Sequence, residues 1–297
     1  MNRIALVDVD GRNFPNLALM KLSASHKAQG DAVVWYSPLF SRPDRIYASK
    51  VFSFTPDFQD YAAGDPEPIR GGTGYDPAVK LPDEVERTLP DYSIYPDWTS
   101  ALGFLTRGCI RNCPWCIVPK KEGGLQEVDD IERIAAGRKS VVLLDNNFLA
   151  ADEEFVREQL EKAARLGLRL DFNQGLDARL VRFWNAKLLA RCRWMRFIRF
   201  SCDTMEVLHE VRAAVEVIRG AGYRGEFFCY MLVQDDLEDA EYRLRELVKL
   251  KVTPFAQPYR DFSGKAETTK AQRDFARFAN VKGGKLCLKM SFKEYYH

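Results

Sequence analysis

Three cysteines lie within eight residues of the chain, Cys109, Cys113 and Cys116, in the run GCIRNCPWC. Their spacing is C-x3-C-x2-C. Three thiolates on one short loop can bind three irons of a [4Fe–4S] cluster and leave the fourth iron without a protein ligand. An open iron can bind and reduce a second molecule, so this spacing predicts a reactive centre rather than a structural one.

Zinc is the alternative ligand for the same cysteines. A structural zinc site normally has four ligands, often two Cys or His pairs separated by about a dozen residues or more. Here the three cysteines share one loop, and no further cysteine or histidine follows within seventy residues. The spacing therefore favours an iron–sulfur cluster over zinc.

Strands and helices alternate from Ala101 onward. Apolar runs predict strands at 101–107, 140–145, 168–174, 194–202, 225–233 and 252–258. Helical periodicity predicts helices at 127–136, 152–166, 177–191, 204–220 and 236–250. Apolar strands joined by helical crossovers are typical of a parallel sheet in an α/β fold. Six strands in about 160 residues predict a partial (β/α)6 barrel, since a full eight-stranded barrel needs about 250 residues.

The cysteine loop follows the first of these strands, and barrel enzymes place their active sites at the carboxyl ends of strands. This arrangement resembles the radical S-adenosylmethionine (radical SAM) superfamily, whose hallmark is C-x3-C-x2-C with an aromatic residue before the last cysteine. Trp115 holds that aromatic position here. The resemblance covers the chain to about residue 260.

The resemblance implies a [4Fe–4S] cluster bound by the three cysteines and S-adenosylmethionine (SAM) chelated at the open iron. Electron transfer from a reductant such as flavodoxin or ferredoxin would then cleave the SAM sulfonium. The product would be a 5′-deoxyadenosyl radical that abstracts hydrogen from a substrate the sequence does not identify.

Polar residues at the ends of the other predicted strands are candidates for binding SAM and substrate. The family usually binds the SAM ammonium after the second strand, where Asp145 and Asn146 lie. Arg199 would pair with the SAM carboxylate or with substrate, Ser201 would contact the ribose, and Leu232 would pack on adenine. The remaining candidates are Trp115 and Gln174 for cofactor binding and Tyr259, with Arg199, for catalysis.

The first 80 residues predict a small, separate α/β domain, with strands at 3–9, 32–36 and 45–54 and a helix from Pro15 to Gln29. This module resembles the flavodoxin-like cobalamin-binding domains of one radical SAM branch. The usual histidine motif D-x-H-x-x-G is absent, because residues 8–13 read DVDGRN. Cobalamin-dependent methyl transfer is therefore an alternative reaction, with cobalamin as an alternative cofactor.

Prolines at 82, 90 and 96 predict an extended linker over residues 81–100. The partial barrel is expected over 101–260 and a C-terminal extension over 261–297. The extension reads as a helix followed by a strand-like stretch, 285–292. Its residues 277–280 and the tyrosines at 295 and 296 also resemble small bacterial and phage-type radical SAM proteins of unassigned substrate.

Composition limits the class of protein. The chain has 297 residues, 46% hydrophobic and 29% charged, with a formal net charge of +2. These values are typical of a soluble globular protein, and we expect neither a signal peptide nor a membrane span. Seven cysteines, three of them in one loop, suit a reducing cytoplasm better than a disulfide framework.

Nucleic acid is an alternative substrate class. Residues 179–199 contain six arginines and one lysine, no acidic residue, and the interleaved aromatics Phe183, Trp184 and Trp194. A basic surface with aromatic rings is typical of nucleic-acid binding. A non-catalytic binding module stabilised by metal is the competing class for the whole protein.

Overall fold

The structure is a computed structural model that describes residues 1–262 and 267–296. It divides into two compact units, Met1–Thr99 and a second unit that begins at Ser100. Residues 263–266 and 297 of the predicted C-terminal extension lie outside the described residues.

The first unit is built on a four-stranded parallel sheet in the order β2-β1-β3-β4. Its elements are β1 (Arg3–Asp8), α1 (Leu17–Ala28), β2 (Ala32–Trp35), β3 (Arg45–Ser49), β4 (Ile69–Gly71) and α2 (Asp83–Glu86). The strand order agrees with the flavodoxin-like arrangement. Asn16 caps α1 by accepting a hydrogen bond from the Leu19 backbone N–H.

The segment expected to be a linker packs with the first unit as far as Thr99. Val85 of α2 is buried in a core with Ile4 and Leu19. The Lys21 Nζ lies 2.6 Å from a carboxylate oxygen of Glu86. The prolines of this segment therefore separate short helical turns instead of holding the chain extended.

The second unit contains nine strands and eight α-helices among its described residues. The strands are β5 (Ala101–Gly103), β6 (Thr106–Arg107), β7 (Gln126–Glu127), β8 (Ser140–Leu143), β9 (Arg169–Phe172), β10 (Arg193–Trp194), β11 (Phe197–Ser201), β12 (Glu226–Val233) and β13 (Val252–Pro258). The helices are α3 (Val118–Lys121), α4 (Ile131–Ala135), α5 (Glu153–Arg165), α6 (Phe183–Arg191), α7 (Met205–Gly220), α8 (Leu237–Lys249), α9 (Lys270–Asn280) and α10 (Phe292–Tyr296).

Seven parallel strands, in two sheets, form the frame of the second unit. One sheet has the order β10-β9-β8-β5 and the other the order β11-β12-β13. All strand pairs in both sheets are parallel. An isolated parallel bridge between Leu176, which follows β9, and Phe200 of β11 links the two sheets. The predicted α/β fold with parallel strands is confirmed.

Alternate residues of β11 and β12 face opposite sides. Ile198, Phe200 and Cys229 are fully buried and join one core with residues of the surrounding helices. The other face carries Arg199 and Tyr230, which are partly exposed. The sheet therefore keeps a helix-covered apolar face and a second, more polar face.

Several local predictions differ from the structure. The strand expected at 194–202 is interrupted and forms β10 and β11, which belong to different sheets. The strand expected at 101–107 breaks after Gly103, and β6 pairs instead with β7 in an antiparallel ribbon. The helix expected at 177–191 is a short 3-10 turn, Ala178–Leu180, followed by α6. The strand-like stretch 285–292 is wrong: a 3-10 turn, Lys285–Leu288, follows Gly283 and Gly284, whose positive φ angles of 63° and 82° turn the chain out of an extended path.

Among the described residues, no helix combines the length and apolarity needed to cross a bilayer.

Arg243 of α8 ties the carboxyl ends of β11 and β12 together. Its side chain is 1% exposed. The guanidinium donates to the backbone oxygens of Cys202 at 2.7 Å and Leu232 at 3.1 Å, and it pairs with Asp239 at 2.7 Å. One buried cation thus fixes two strand ends against the helix.

We expect Arg243→Met to lower the free energy of unfolding by about 3 kcal/mol, because it leaves two buried carbonyls without donors. Chemical denaturation followed by circular dichroism measures this loss. Arg277→Met is the control, since the Arg277 side chain is 73% exposed. An equal loss in both variants would contradict the assigned role.

Candidate active site at the cysteine loop

Gly108 sets the path by which the chain enters the cysteine loop. Its φ is +80°, and a Cβ added there would lie 2.2 Å from the backbone oxygen of Gly124. Only glycine permits this approach of two backbone segments. The next residue, Cys109, donates its N–H to the Gly123 oxygen at 3.3 Å. The entrance and exit of the loop are therefore in contact.

Asp145, at the carboxyl end of β8, holds the chain just before the loop. One carboxylate oxygen accepts from the Leu105 N–H at 3.1 Å, and the other accepts from the Thr106 N–H at 2.6 Å and hydroxyl at 2.8 Å. The residue is 2% exposed. Burial raises the pKa of Asp145 to about 6, although these hydrogen bonds favour the charged form.

The two asparagines that follow Asp145 also form hydrogen bonds with the start of the cysteine loop. The Asn146 Oδ1 accepts from the Gly108 N–H at 3.0 Å. The Asn147 Nδ2 donates to the Cys109 Sγ at 3.4 Å and lies 3.3 Å from an Asp177 oxygen. Asn147 is 2% exposed, and its Oδ1 is buried without a hydrogen-bond partner. Sequence reasoning missed Asn147, although it continues the polar run after β8.

Asp177 connects the loop to the segment after β9. Its carboxylate pairs with the Arg111 Nε at 3.1 Å and with the Arg179 Nε at 2.7 Å. Burial opposes ionisation, but the two guanidinium groups outweigh it and hold the pKa of Asp177 below its ordinary value. Asp177 was not among the predicted site residues, because its ion pairs depend on the tertiary fold.

The three loop thiols interact with one another electrostatically. Burial raises the pKa of Cys113 and of Cys116, so both hold their protons more firmly than a free thiol does. The Cys109 thiol adds to the rise at both residues and the Cys113 thiol to the rise at Cys116, whereas the Arg179 charge partly offsets the rise at Cys113. The loop therefore brings the three thiols into one electrostatic environment.

These side chains do not converge on a single point. Within residues 1–262 and 267–296, no group of three or more Cys, His, Asp or Glu side chains is arranged to hold one metal ion. A cubane cluster binds each thiolate at a different iron, so its cysteines need not converge as the ligands of one zinc ion do. We expect cluster binding to deprotonate and reorient the thiols.

Trp115 joins the loop to the carboxyl end of β11. Its side chain donates a hydrogen bond to the Asp203 carboxylate, which also accepts from the Leu232 backbone N–H. Burial raises the pKa of Asp203. Sequence reasoning did not include Asp203 in the site, although it directly follows a predicted strand.

Asp203 also borders an open cleft of about 510 Å³ beside the carboxyl ends of β11 and β12. Its polar lining consists of Asp203, Thr204, Glu206, Gln234, Asp235, Asp236, Asp239 and Arg243. Clefts of this volume are typical of sites for nucleotide-sized ligands. Through Asp203, the cleft adjoins the aromatic residue of the cysteine loop.

Arg199 is already paired. Its Nε lies 2.6 Å from one carboxylate oxygen of Asp171, and its Nη2 lies 2.8 Å from the other. The guanidinium also lies 4.9 Å from the centroid of the Phe228 ring. The Tyr230 hydroxyl donates to the Asn173 backbone oxygen at 2.9 Å. This face of the sheets thus presents a neutralised arginine among aromatic rings.

The other predicted residues lie near the same edge. Gln174 is exposed, while Ser201, Leu232 and Tyr259 are partly buried. The Tyr259 N–H donates to the Val233 oxygen at 2.8 Å, which continues the pairing of β12 with β13. Their predicted roles concern contacts with SAM or substrate, and these roles stay predictions.

No protein-family model and no curated protein matches the sequence. Among solved structures, Streptococcus suis SuiB bound to S-adenosylmethionine aligns at 12% identity with a TM-score of 0.47. A second SuiB structure aligns at 13% identity with a TM-score of 0.45. Each alignment covers 61% of this chain, and it covers 46% and 45% of the respective SuiB chain. The chain therefore matches less than half the length of SuiB.

We expect Asp145→Asn to lower the free energy of unfolding by about 1–3 kcal/mol, because the amide cannot accept from all three donors. The effect also depends on pH. Since the pKa of Asp145 is raised from 3.8 to about 6, the stability that this carboxyl contributes is present below pH 3.8 and is lost as pH rises through 6.

The variant should lack that decline, which urea denaturation at pH 3.5 to 7 measures. Asp152→Asn is the matched control, because asparagine also caps helices well and Asp152 caps α5. A wild-type pH profile retained in Asp145→Asn would contradict the assignment.

Proposed function

We propose that this chain is a radical SAM enzyme that binds a [4Fe–4S] cluster through Cys109, Cys113 and Cys116. The observation that carries the proposal is the position of the C-x3-C-x2-C loop. It leaves the first of seven parallel strands at the carboxyl edge, where polar residues that follow the neighbouring strand β8 support it. That is the edge at which barrel enzymes bind their ligands.

The donor set fits such a cluster. The loop supplies three thiols, and the two carboxylates that act electrostatically on Cys113 are engaged elsewhere: Asp177 with two arginines, and Asp203 with Trp115 and a backbone N–H. We infer that neither serves as a fourth ligand. When bound, the cluster would supply one electron from a flavodoxin or ferredoxin to SAM, giving methionine and a 5′-deoxyadenosyl radical.

The chain's own residues would position the reactants. Asp145 and Asn146 make their contacts with the backbone before the loop, so we propose that they set the loop's position rather than bind SAM through side chains already in use. The cleft beside Asp203 is our candidate site for the nucleoside of SAM. Leu232 and Ser201 lie at the ends of the two strands beside the cleft and are not among its lining residues; they stay our candidate contacts to adenine and ribose.

Substrate chemistry would take place on the polar face of the sheets. Because Asp171 neutralises Arg199, we propose that this pair orients substrate rather than holding the SAM carboxylate. Tyr259, after β13, remains our candidate to donate a hydrogen atom.

We expect protein reconstituted anaerobically with iron and sulfide to be brown and to hold about four irons per chain. Addition of dithionite and SAM should yield 5′-deoxyadenosine, measured by chromatography. The Cys109, Cys113 and Cys116 to Ala triple variant should hold no cluster and form no product.

Cys192→Ala and Cys287→Ala are the controls, since these thiols are buried and belong to neither the cysteine loop nor the cleft beside Asp203. They should retain iron and activity. Colourless protein that contains zinc would instead identify a non-catalytic module stabilised by metal.

Cobalamin-dependent methyl transfer is a second candidate, favoured by the β2-β1-β3-β4 order of the first unit. That order places ligands at the carboxyl edge beside β1 and β3. There the Asp10 carboxylate accepts from the Thr55 hydroxyl and from the N–H groups of Val51 and Phe52. Asp10 stands where the histidine motif of cobalamin domains has its histidine, so any cobalamin would bind without that ligand.

For this alternative, full-length protein mixed with hydroxocobalamin should retain the corrin absorbance after desalting. The Asp10→Ala variant, which releases the loops around the carboxyl edge, should retain less. Protein that elutes colourless would exclude the cobalamin branch and leave radical formation itself untouched.

A further inference from the structure

The amino ends of the parallel strands in the second unit carry a concentration of positive charge. Four exposed cations lie in or next to the starts of strands β8 to β11, and two more lie at the ends of α5 and α6. We call these six residues the basic end: Lys139, Arg169, Arg193 and Arg196 at the strands, and Arg165 and Arg191 at the helices. Because the strands are parallel, this is the edge opposite the cysteine loop.

The fold brings these cations into direct succession. Arg193 of β10 is the register partner of Arg169 of β9, and the Arg169 N–H donates to the Lys139 oxygen at 2.9 Å. Neighbouring strands are about 4.8 Å apart, so three positive side chains begin three adjacent strands within about 10 Å. Like charges directly opposite each other destabilise a sheet, so the Arg169–Arg193 pair would be stabilised by an external source of negative charge.

Few carboxylates of the protein offset this charge. Arg196 has Glu226 at 3.5 Å, a pair in which the side chains are 70% and 61% exposed. Arg165 and Arg191 face a shared cleft of about 460 Å³ with Lys162, Glu158 and Glu161. Of those two glutamates, Glu158 already pairs with Lys162 at 2.6 Å.

Helix stabilisation accounts for only part of the pattern. Arg165 and Arg191 lie in the last turns of α5 and α6, where cations favour the helix dipole. Lys139, Arg169, Arg193 and Arg196 lie outside helices, so that explanation does not apply to them.

An exposed aromatic stripe leads away from the basic end along α6. Phe183, Lys187 and Arg191 are spaced four residues apart and share one helix face. The Phe183 ring is 66% exposed, and the Lys187 Nζ lies 4.3 Å from its centroid. An exposed ring beside cations is a stacking platform for unpaired bases.

We propose that the basic end and the α6 stripe bind a single-stranded nucleic acid, with arginines on its phosphates and Phe183 stacked on a base. Arginine prevails over lysine in the basic end, which suits bidentate contacts with phosphate oxygens. The exposed ring favours nucleic acid over an acidic polypeptide, which offers charge without planar bases. This binding requires neither the cluster nor SAM, so it can be tested independently of the proposed function.

The test is fluorescence anisotropy of full-length protein with labelled 20-nucleotide single-stranded RNA and DNA at 50–200 mM KCl. We expect affinity to fall with salt, with a log–log slope of about −2 to −4 for three to six phosphate contacts. Arg169→Gln, Arg193→Gln and Arg196→Gln together should weaken binding at least about tenfold at 50 mM KCl and reduce the slope by about 2.

The matched control carries Arg3→Gln, Arg42→Gln and Lys80→Gln, three exposed cations of the first unit, and thus the same change in net charge. It should bind within about twofold of wild type. Circular dichroism should show that both triple variants fold, because all six side chains are exposed.

Phe183→Ala tests the stacking platform. It should weaken binding at least about fivefold without changing the salt slope. Four results would overturn the proposal: no binding by wild type at 50 mM KCl, undiminished binding by the basic-end variant, equal loss in the control, or unchanged affinity in Phe183→Ala. Equally tight binding of poly-glutamate would instead identify an acidic polypeptide as the partner.

Discussion

The position of the cysteine loop depends on one buried carboxylate. Asp145 satisfies the N–H groups of Leu105 and Thr106 at the point where the chain leaves the first strand of the second unit. Without these contacts, two backbone donors would lie unpaired in a place that solvent hardly reaches, at a cost of about 1–3 kcal/mol each. Asn146 and Asn147 then fix Gly108 and Cys109 in turn. Three consecutive polar residues after one strand thereby determine where the thiols begin.

The sequence was informative where chemistry or periodicity is local. The cysteine spacing is visible in nine residues, and the apolar runs that became β8, β9 and β12 predicted parallel strands. Because parallel strands end at the same edge of a sheet, the polar residues that follow the predicted strands were expected at that edge. Tertiary pairing could not be predicted in the same way: nothing in the run LLDNNF indicates that Asp145 turns back onto the backbone while Asn147 faces a thiol. The Arg199–Asp171 and Arg179–Asp177 pairs likewise depend on how strands and loops meet.

The charges of the second unit follow its strand direction. Carboxylates concentrate at the carboxyl edge, including Asp145, Asp177 and Asp203, and arginines concentrate at the opposite edge. The basic segment 179–199 shows why sequence position alone misleads. Arg179 and Arg199 belong to ion pairs near the proposed active site, whereas Arg191, Arg193 and Arg196 lie on the far surface. A single run of arginines therefore serves two different parts of the molecule.

The close approach of Gly108 to Gly124 has a consequence for how this site can vary. Residues 109–123 form a loop whose two ends are in backbone contact, so the positions of these ends do not depend on the length of the loop. Lengthening such a loop raises the entropic cost of closing it only slightly, by about 0.6 kcal/mol for each doubling of its length. Insertions between Cys116 and Gly123 should thus be tolerated, whereas any side chain at position 108 would push the two backbone segments apart.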